Sequence, residues 1–505
     1  MKLSDSSSAK VGSSNAGSIL SISSAGIHNF HVYSSFVLSK IISGAVGLVK
    51  SGLGTLTLNA NNTYTGTTTI SGGTLKNGTA TAFSSGSRLN VNAGIFDLNG
   101  FNAIAASVSA GNAAGTITNS GAGSGTNTLT ITNFGNVNLA LLITDGATAK
   151  TAVTLSNNNA IATFANANNT FSGGITIAYT LGGGPRIYQY SPVTNTLVDG
   201  ILTKSNFGTG TIYIGSSASA ANSQLMLGAT NTTIYNNIVF NAAGYVDGGL
   251  AAMRLDATGI KFYGALISNL SDINLSSQVT SSSTAYGQLS GIKGLLLKTP
   301  GGAGSTFTLT LANTATNNNY SGNTTISTRT TIALSAVNQI PNGTGKGNLI
   351  INGGTFAMNG FSETINALSG TGTVNGVNGT PTLTVGDNDA TSTFSGTIIN
   401  TAGSLSLTKI GTGTLTLGGN NTYTGTTTIS NGSIIVSKTT GGIAGVATFT
   451  TTALTVNFNN VTPTTGATYQ FFPGETSPTG LTITLTNAGG KTGTYNYTNS
   501  TLTID

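Results

Sequence analysis

The chain has 505 residues, of which 6% are charged, and it contains 71 glycines, 8 prolines and no cysteine or tryptophan. An ordinary soluble domain is about 25% charged. Without cysteine there are no disulfides and no thiol chemistry. Collagen is excluded because glycine has no three-residue period, and a hydrophobic share of 38% lets the chain bury a core that disordered segments lack. The net charge of +6 comes from basic residues scattered along the chain (Lys50, Arg88, Lys150, Arg186, Lys204, Arg254, Lys346, Lys409), not clustered with aromatics, which argues against a nucleic-acid partner.

Residues 1–18 lack the apolar run of a secretory signal. The most apolar stretch, 36–49, is too short to span a bilayer and is interrupted by Lys40. Residues 1–49, with His28, Phe30, His31, Tyr33 and Phe36, read as an N-terminal cap and first coils. From residue 50 the pattern becomes alternation. In Thr55-Leu56-Thr57-Leu58 the leucines share one face and the threonines the other, which predicts a half-buried strand. Thr128-Leu129-Thr130-Ile131, Thr382-Leu383-Thr384-Val385, Ser404-Leu405-Ser406-Leu407 and Thr414-Leu415-Thr416-Leu417 repeat it. Gly/Asn/Ser clusters separate these runs, and no stretch combines a 3.6-residue period with helix caps.

The runs belong to repeats. "KSGLGTLTLNANNTYTGTTTISGGTL" (50–75) and "KIGTGTLTLGGNNTYTGTTTISNGSI" (409–434) are identical at 19 of 26 positions. Degenerate copies lie at 162–177, 204–215 and 298–327. A second unit, "LNVNAGIFDLNGF" (89–101), returns as "LIINGGTFAMNGF" (349–361), each followed by a Ser/Gly-rich strand (107–117 and 367–374). The repeat units therefore fall at 50–119, 162–177, 204–215, 298–327, 349–376 and 404–436 of a body spanning 50–460. Residues 179–290, with Arg186, Tyr188, Tyr190, Arg254, Lys261 and Tyr263, are least repeat-like and read as an insertion or a divergent stretch of coils. Residues 461–505, with Tyr469, Phe471, Phe472 and Pro473, read as a C-terminal β-rich cap.

A four-residue strand cannot bury its apolar face alone, but it can when stacked on a copy of itself. The expected fold is all-β: a parallel β-helix, or β-solenoid, in which coils of roughly 20–30 residues, three short strands each, stack at about 4.8 Å. Twenty such coils would make a rod on the order of 100 Å long. Leu56, Leu58, Ile70, Leu75, Leu89, Val91, Phe96 and Leu98 are the expected interior. Threonine suits the exterior, glycine the corners, and asparagine the stacked turns. The strand edges left open at either end are candidates for self-association.

The two clear copies resemble the passenger-associated, or autotransporter-associated, β-strand repeat of bacterial autotransporters: G-x-G-T-L-x-L, N-T-Y-x-G, T-T-I and G-T-L. The segments "FDLNGF" (96–101) and "AMNGF" (357–361) resemble the piece that commonly follows. The resemblance implies a right-handed parallel β-helix on a bacterial surface or released from it, similar in kind to adhesins. Neither an N-terminal signal nor a C-terminal translocator barrel is visible, because "GTYNYTNSTLTID" holds a single alternating segment.

Parallel β-helices also carry polysaccharide-cleaving sites, which need clustered carboxylates. Asp387 and Asp389 in "GDNDA" are the one close pair, readable as a calcium or acid–base site or as a polar turn. Asp97 is matched by Ala357 in the second copy, which predicts a tolerant outward position. Glu363 and Glu475 are isolated. His28 and His31 alternate to opposite faces, and no cysteine or third histidine completes a metal site with them. A serine nucleophile would need one of those two as its base. "GLGTLT" and "GTGTLT" lack the lysine of a phosphate loop. Tyr64 and Tyr423 are readable as a sugar-stacking ladder or as turn aromatics packed on the next coil. Asn61 and Asn420 start Asn-x-Thr sequons. No catalytic, cofactor or metal residues are assigned. The expected role is a non-enzymatic extracellular structural, adhesive or fibre-forming element, with surface glycans as candidate partners. A phage or viral fibre protein and a polysaccharide-active enzyme are the alternatives.

Overall fold

The computed structural model describes residues 26–109, 115–132, 135–156, 161–178, 185–216, 223–242, 251–299, 304–436, 447–449, 453–457, 468–470, 482–486, 492–496 and 501–505. Among these there are strands and turns but no helix. Strand pairing is almost entirely parallel, as in a β-solenoid. The chain divides into two compact units, one ending at Arg254 and the other starting at Leu255.

In the first unit, Ile27–His31 pairs in parallel with Gly47–Ser51, which pairs with Thr68–Ile70, and Ser35–Leu38 pairs with Thr55–Leu58. In-register pairing puts like on like. Leu56 stands between Phe36 and Leu75, and Phe96 between Leu75 and Ile117. The alternation therefore becomes a continuous column. Leu56, Leu58, Ile70, Leu75, Leu89, Val91, Phe96 and Leu98 are all fully buried. Within the stretch 179–290, Arg186–Gln189 pairs with both Ile161–Phe164 and Gln224–Leu227, and Ile212–Ile214 pairs with both Ile175–Ala178 and Ile238–Phe240. Parallel ladders thus run through 186–240 of this stretch. One antiparallel hairpin, Asn195–Val198 with Ile201–Ser205, leaves them. Its turn is Asp199-Gly200, both at positive φ (50° and 79°), the backbone that a two-residue hairpin turn requires.

In the second unit, a ladder runs through Ile260–Phe262, Ser281–Ala285, Phe307–Leu311, Thr330–Leu334, Thr355–Ala357, Thr373–Gly376 and Thr397–Asn400. Another runs through Glu363–Ile365, Thr382–Val385, Ser406–Lys409 and Thr427–Ile429. Near the C-terminus, Thr468–Gln470, Thr501–Ile504 and Gly493–Asn496 form an antiparallel sheet, while Thr482–Thr486 still pairs in parallel with Ala453–Asn457.

Threonine is not confined to the outside. In the T-T-I element the first residue faces inward: Thr68, Thr324 and Thr427 are buried beside Ile70, Ile326 and Ile429. The inward position next to a turn is narrow and polar, and a threonine fills it with a methyl group while keeping a hydroxyl for bonding. The packing makes a contrast testable. Leu407→Ala, at a fully buried position, should cost about 2–5 kcal/mol. Its outward neighbour Thr408→Val should change stability by no more than about 0.5 kcal/mol. Urea denaturation of the two variants measures both.

Candidate functional site

The repeat builds a polar hub inside the coil. Lys50 continues the inward face of its strand and is fully buried. Its Nζ donates to the carbonyls of Ser51 (2.9 Å) and Gly52 (2.9 Å) and, one coil on, Gly72 (3.0 Å). Room for the ammonium requires glycine at Gly73, where φ is +61° and a Cβ would lie 2.7 Å from Nζ. The second copy repeats the arrangement: Lys409 is fully buried, Nζ donates to the carbonyls of Ile410 and Gly411, and Gly432 (φ +68°) is the matching glycine. Burial lowers Lys50 to about 8, and it lowers Lys298 and Lys409 as well, the last countered by nearby Asp389. Lys204, at the head of a degenerate copy, is exposed.

The aromatic of the repeat completes the hub. Tyr64 is fully buried, and its hydroxyl bonds Thr68 Oγ1 (2.8 Å), which bonds Ser87 Oγ (2.8 Å) on the next coil. Tyr320 and Tyr423 are equally buried against Thr324 and Thr427. These rings therefore pack in the interior and are not a sugar ladder. Desolvation raises Tyr64 to about 12 and raises Tyr320 further. Two residues before each aromatic, an asparagine crosses between coils. Asn62 accepts from the Ile42 N–H (2.7 Å) and donates to the Ala82 carbonyl (2.6 Å). Asn169 and Asn318 make the same double link, and Asn421 accepts from the Ile398 N–H.

The acidic residues are placed differently from expectation in one case. Asp97 keeps the outward file of its strand, in register with Lys76 and Thr118, but is buried there. It accepts from the N–H groups of Asn99 (2.9 Å) and Ser120 (2.8 Å) and from Ser120 Oγ, and lies 3.7 Å from Lys76 Nζ. Its counterpart Ala357 is buried too, so the interchange reflects two fillings of one covered site. Asp387 and Asp389 are both exposed and separate in function. Asp389 holds φ at 60° and accepts from the Thr412 N–H of the next coil, whereas Asp387 faces a cleft. His28 is half-buried and lowered by burial; His31 is exposed and shares a hydrogen bond with Ser51 Oγ. Among the described residues no three His, Cys, Asp or Glu side chains gather to hold a metal ion. Glu475 lies outside the described residues.

The cleft, in the second unit, has a volume of about 350 Å³ and is lined mainly by Asn317, Asn318, Asn338, Asn342, Lys346 and Asp387. Its main wall is the loop 338–347, which is clamped from the coil below. Glu363 is buried, and its two carboxyl oxygens accept from the N–H groups of Gln339 (2.9 Å) and Ile340 (3.0 Å). Asn366 accepts from the Gly343 N–H (2.7 Å) and donates to the carbonyls of Gly343, Lys346 and Gly347. In the first copy of this unit Ala103 and Ala106 occupy the two clamping positions. Burial raises Glu363 to about 8 despite both N–H donors.

The fold and hub define a parallel β-solenoid whose coils are cross-tied from within by lysine, asparagine, tyrosine and threonine. The passenger-associated-transport-repeat family matches residues 48–76 and 407–436, so the chain carries that repeat twice. No curated protein and no solved structure matches the chain. No helix among the described residues is long and apolar enough to cross a membrane.

Two titrations set a pH profile. Glu363 in the folded chain keeps a proton that the unfolded chain loses near 4.5, so its contribution is present below that pH and is lost as pH rises through about 8. Lys50 behaves oppositely. Between about 8 and 10.5 the folded chain has released a proton that the unfolded chain still holds, so stability rises with pH there. Unfolding free energy measured against pH should fall toward 8 and then rise. Glu363→Gln should flatten the first limb and Lys50→Met the second.

Proposed function

We propose that the chain is a non-enzymatic, extracellular passenger-type β-solenoid of a bacterial surface, right-handed with three short strands per coil, serving a structural and adhesive role. The carrying observation is how the matched repeat uses its polar groups. Lys50, Asn62, Tyr64 and Thr68 face inward and tie coil to coil, so the repeat contributes shape and cohesion, not surface chemistry. Right-handed winding accords with the general hand of crossovers between parallel strands. Scarce charge accords with it too, because like charges stacked at each rung of a ladder would repel.

A fibre subunit is the second reading, favoured by the antiparallel sheet of Thr468–Gln470, Thr501–Ile504 and Gly493–Asn496, which departs from the solenoid as a terminal assembly element would. Display tests the first reading. The chain is fused between a secretory signal and a translocator barrel, and intact cells are treated with protease. The expected result is a surface-exposed chain whose core resists cleavage. Retention inside the cell, or complete degradation at the surface, would contradict the proposal. Purified protein incubated with acidic polysaccharides should release no reducing ends above background; release would favour the enzyme alternative.

A further inference from the structure

The polar side chains of the repeats are engaged between coils, and so are Asn318 and Asn342 of the cleft, but three others that face it are not. The amides of Asn317 and Asn338 are exposed and make no hydrogen bond with the protein among the described residues, and neither does the Asp387 carboxylate. Lys346 Nζ uses one donor, on the Asn319 carbonyl at 2.6 Å, and an ammonium has three. Asn338 is held in the left-handed region at φ 54°. The wall that presents it is fixed by Glu363 and Asn366, residues absent from the sister copy. A wall pre-ordered in this way lowers the entropy lost on binding.

An aromatic step stands on the coils that precede the cleft. Tyr263 and Tyr286 follow directly on paired residues, Phe262 and Ala285, of neighbouring coils. Their rings stack at 4.8 Å and 11°, and they are 45% and 38% exposed. The next coil places Ala312 at the register position where a third ring would stand. Two and three residues after Tyr286 the same coil is tied to the cleft's first wall: Gln288 Nε2 donates to the Asn317 carbonyl (2.8 Å), and the Leu289 N–H donates to Asn318 Oδ1 (2.9 Å).

We propose that this strip, the Tyr263–Tyr286 step leading into the cleft of Asn317, Asn338, Lys346 and Asp387, binds a neutral oligosaccharide. Tyrosine rings suit the C–H faces of sugar rings while their hydroxyls stay wet. Asparagine amides and one carboxylate offer the mixed donors and acceptors that vicinal hydroxyls need. One lysine and one aspartate leave the cleft without net charge, which favours a neutral sugar over a sulfated or uronic one. A volume of about 350 Å³ lies at the small end of ligand sites, which run about 300–1,000 Å³, room for about one or two sugar rings.

The site deepens the adhesive part of the role above. It is tested on purified full-length protein, so that failure of surface display and failure of sugar binding are separate results. The probe is an array of immobilised neutral and sulfated oligosaccharides of animal and microbial type, followed by titration of the best binder in solution. Binding to at least one neutral oligosaccharide is expected. Tyr286→Ala, and the pair Asn338→Gly with Asp387→Ala, should each weaken it by about tenfold or more with unchanged thermal unfolding. Tyr213→Ala, an exposed tyrosine of the other unit, should leave it intact. The proposal is overturned if no neutral sugar binds, if the variants bind as the parent does, or if binding is confined to sulfated sugars and lost in high salt.

Discussion

The strands of the coils depend on the parallel, in-register hydrogen-bond ladder to the coils on either side. Strands such as Thr68–Ile70 and Ile95–Asp97 hold three residues, far too few to be stable alone. The ladder supplies their hydrogen bonds and, by holding register, stacks Leu56 on Leu75 and Leu75 on Phe96. Slipping by one residue would turn every inward side chain out. The composition follows from this constraint. Side chains repeat at each rung, so the outward ones must be uncharged and β-branched, and the corners must admit backbone at positive φ.

The interior is not wholly apolar. The polar groups of the matched repeat are arranged so that they find partners on an adjacent coil. A buried ammonium is costly unless its donors are satisfied. Lys50 meets three carbonyls, including one from the coil below. The Tyr64–Thr68–Ser87 chain and the two-way bridge of Asn62 work alike. Leucine columns set the spacing of the coils, while these directional bonds specify which turn meets which. The positions of lysine, glycine, asparagine and tyrosine in the repeat are therefore coupled through space, which accounts for their return together at 409–434.

Much of this was legible in the sequence, because alternation and repetition are local signals. The inward leucines and phenylalanines follow from period two, and the parallel stack follows from strands that are short and copied. The buried lysines were not legible. Charge argues for the surface, and the carbonyls that receive Lys50 lie on a turn and on the following coil. Asp97 misled only in its burial, since replacement by Ala357 looks like tolerance at the surface when both sites are covered. The hairpin at 195–205 did carry a signal, Asp199-Gly200 between apolar residues, which the repeat pattern overshadowed. The cleft had none, for it gathers Asn317, Asn338, Lys346 and Asp387 from several turns, and its clamp rests on Glu363 and Asn366 standing where the sister copy has alanine.

The central claim is the register of stacked coils, and the absence of native cysteine makes it directly measurable. Thr384, Thr408 and Thr428 are outward residues on three successive rungs. Cysteines placed one rung apart should sit about 5 Å from each other and two rungs apart about 10 Å. A thiol cross-linker about 5 Å in reach should join Thr384→Cys to Thr408→Cys efficiently and fail to join Thr384→Cys to Thr428→Cys. Failure of the first pair, or equal yields from both, would contradict the stacked-coil account.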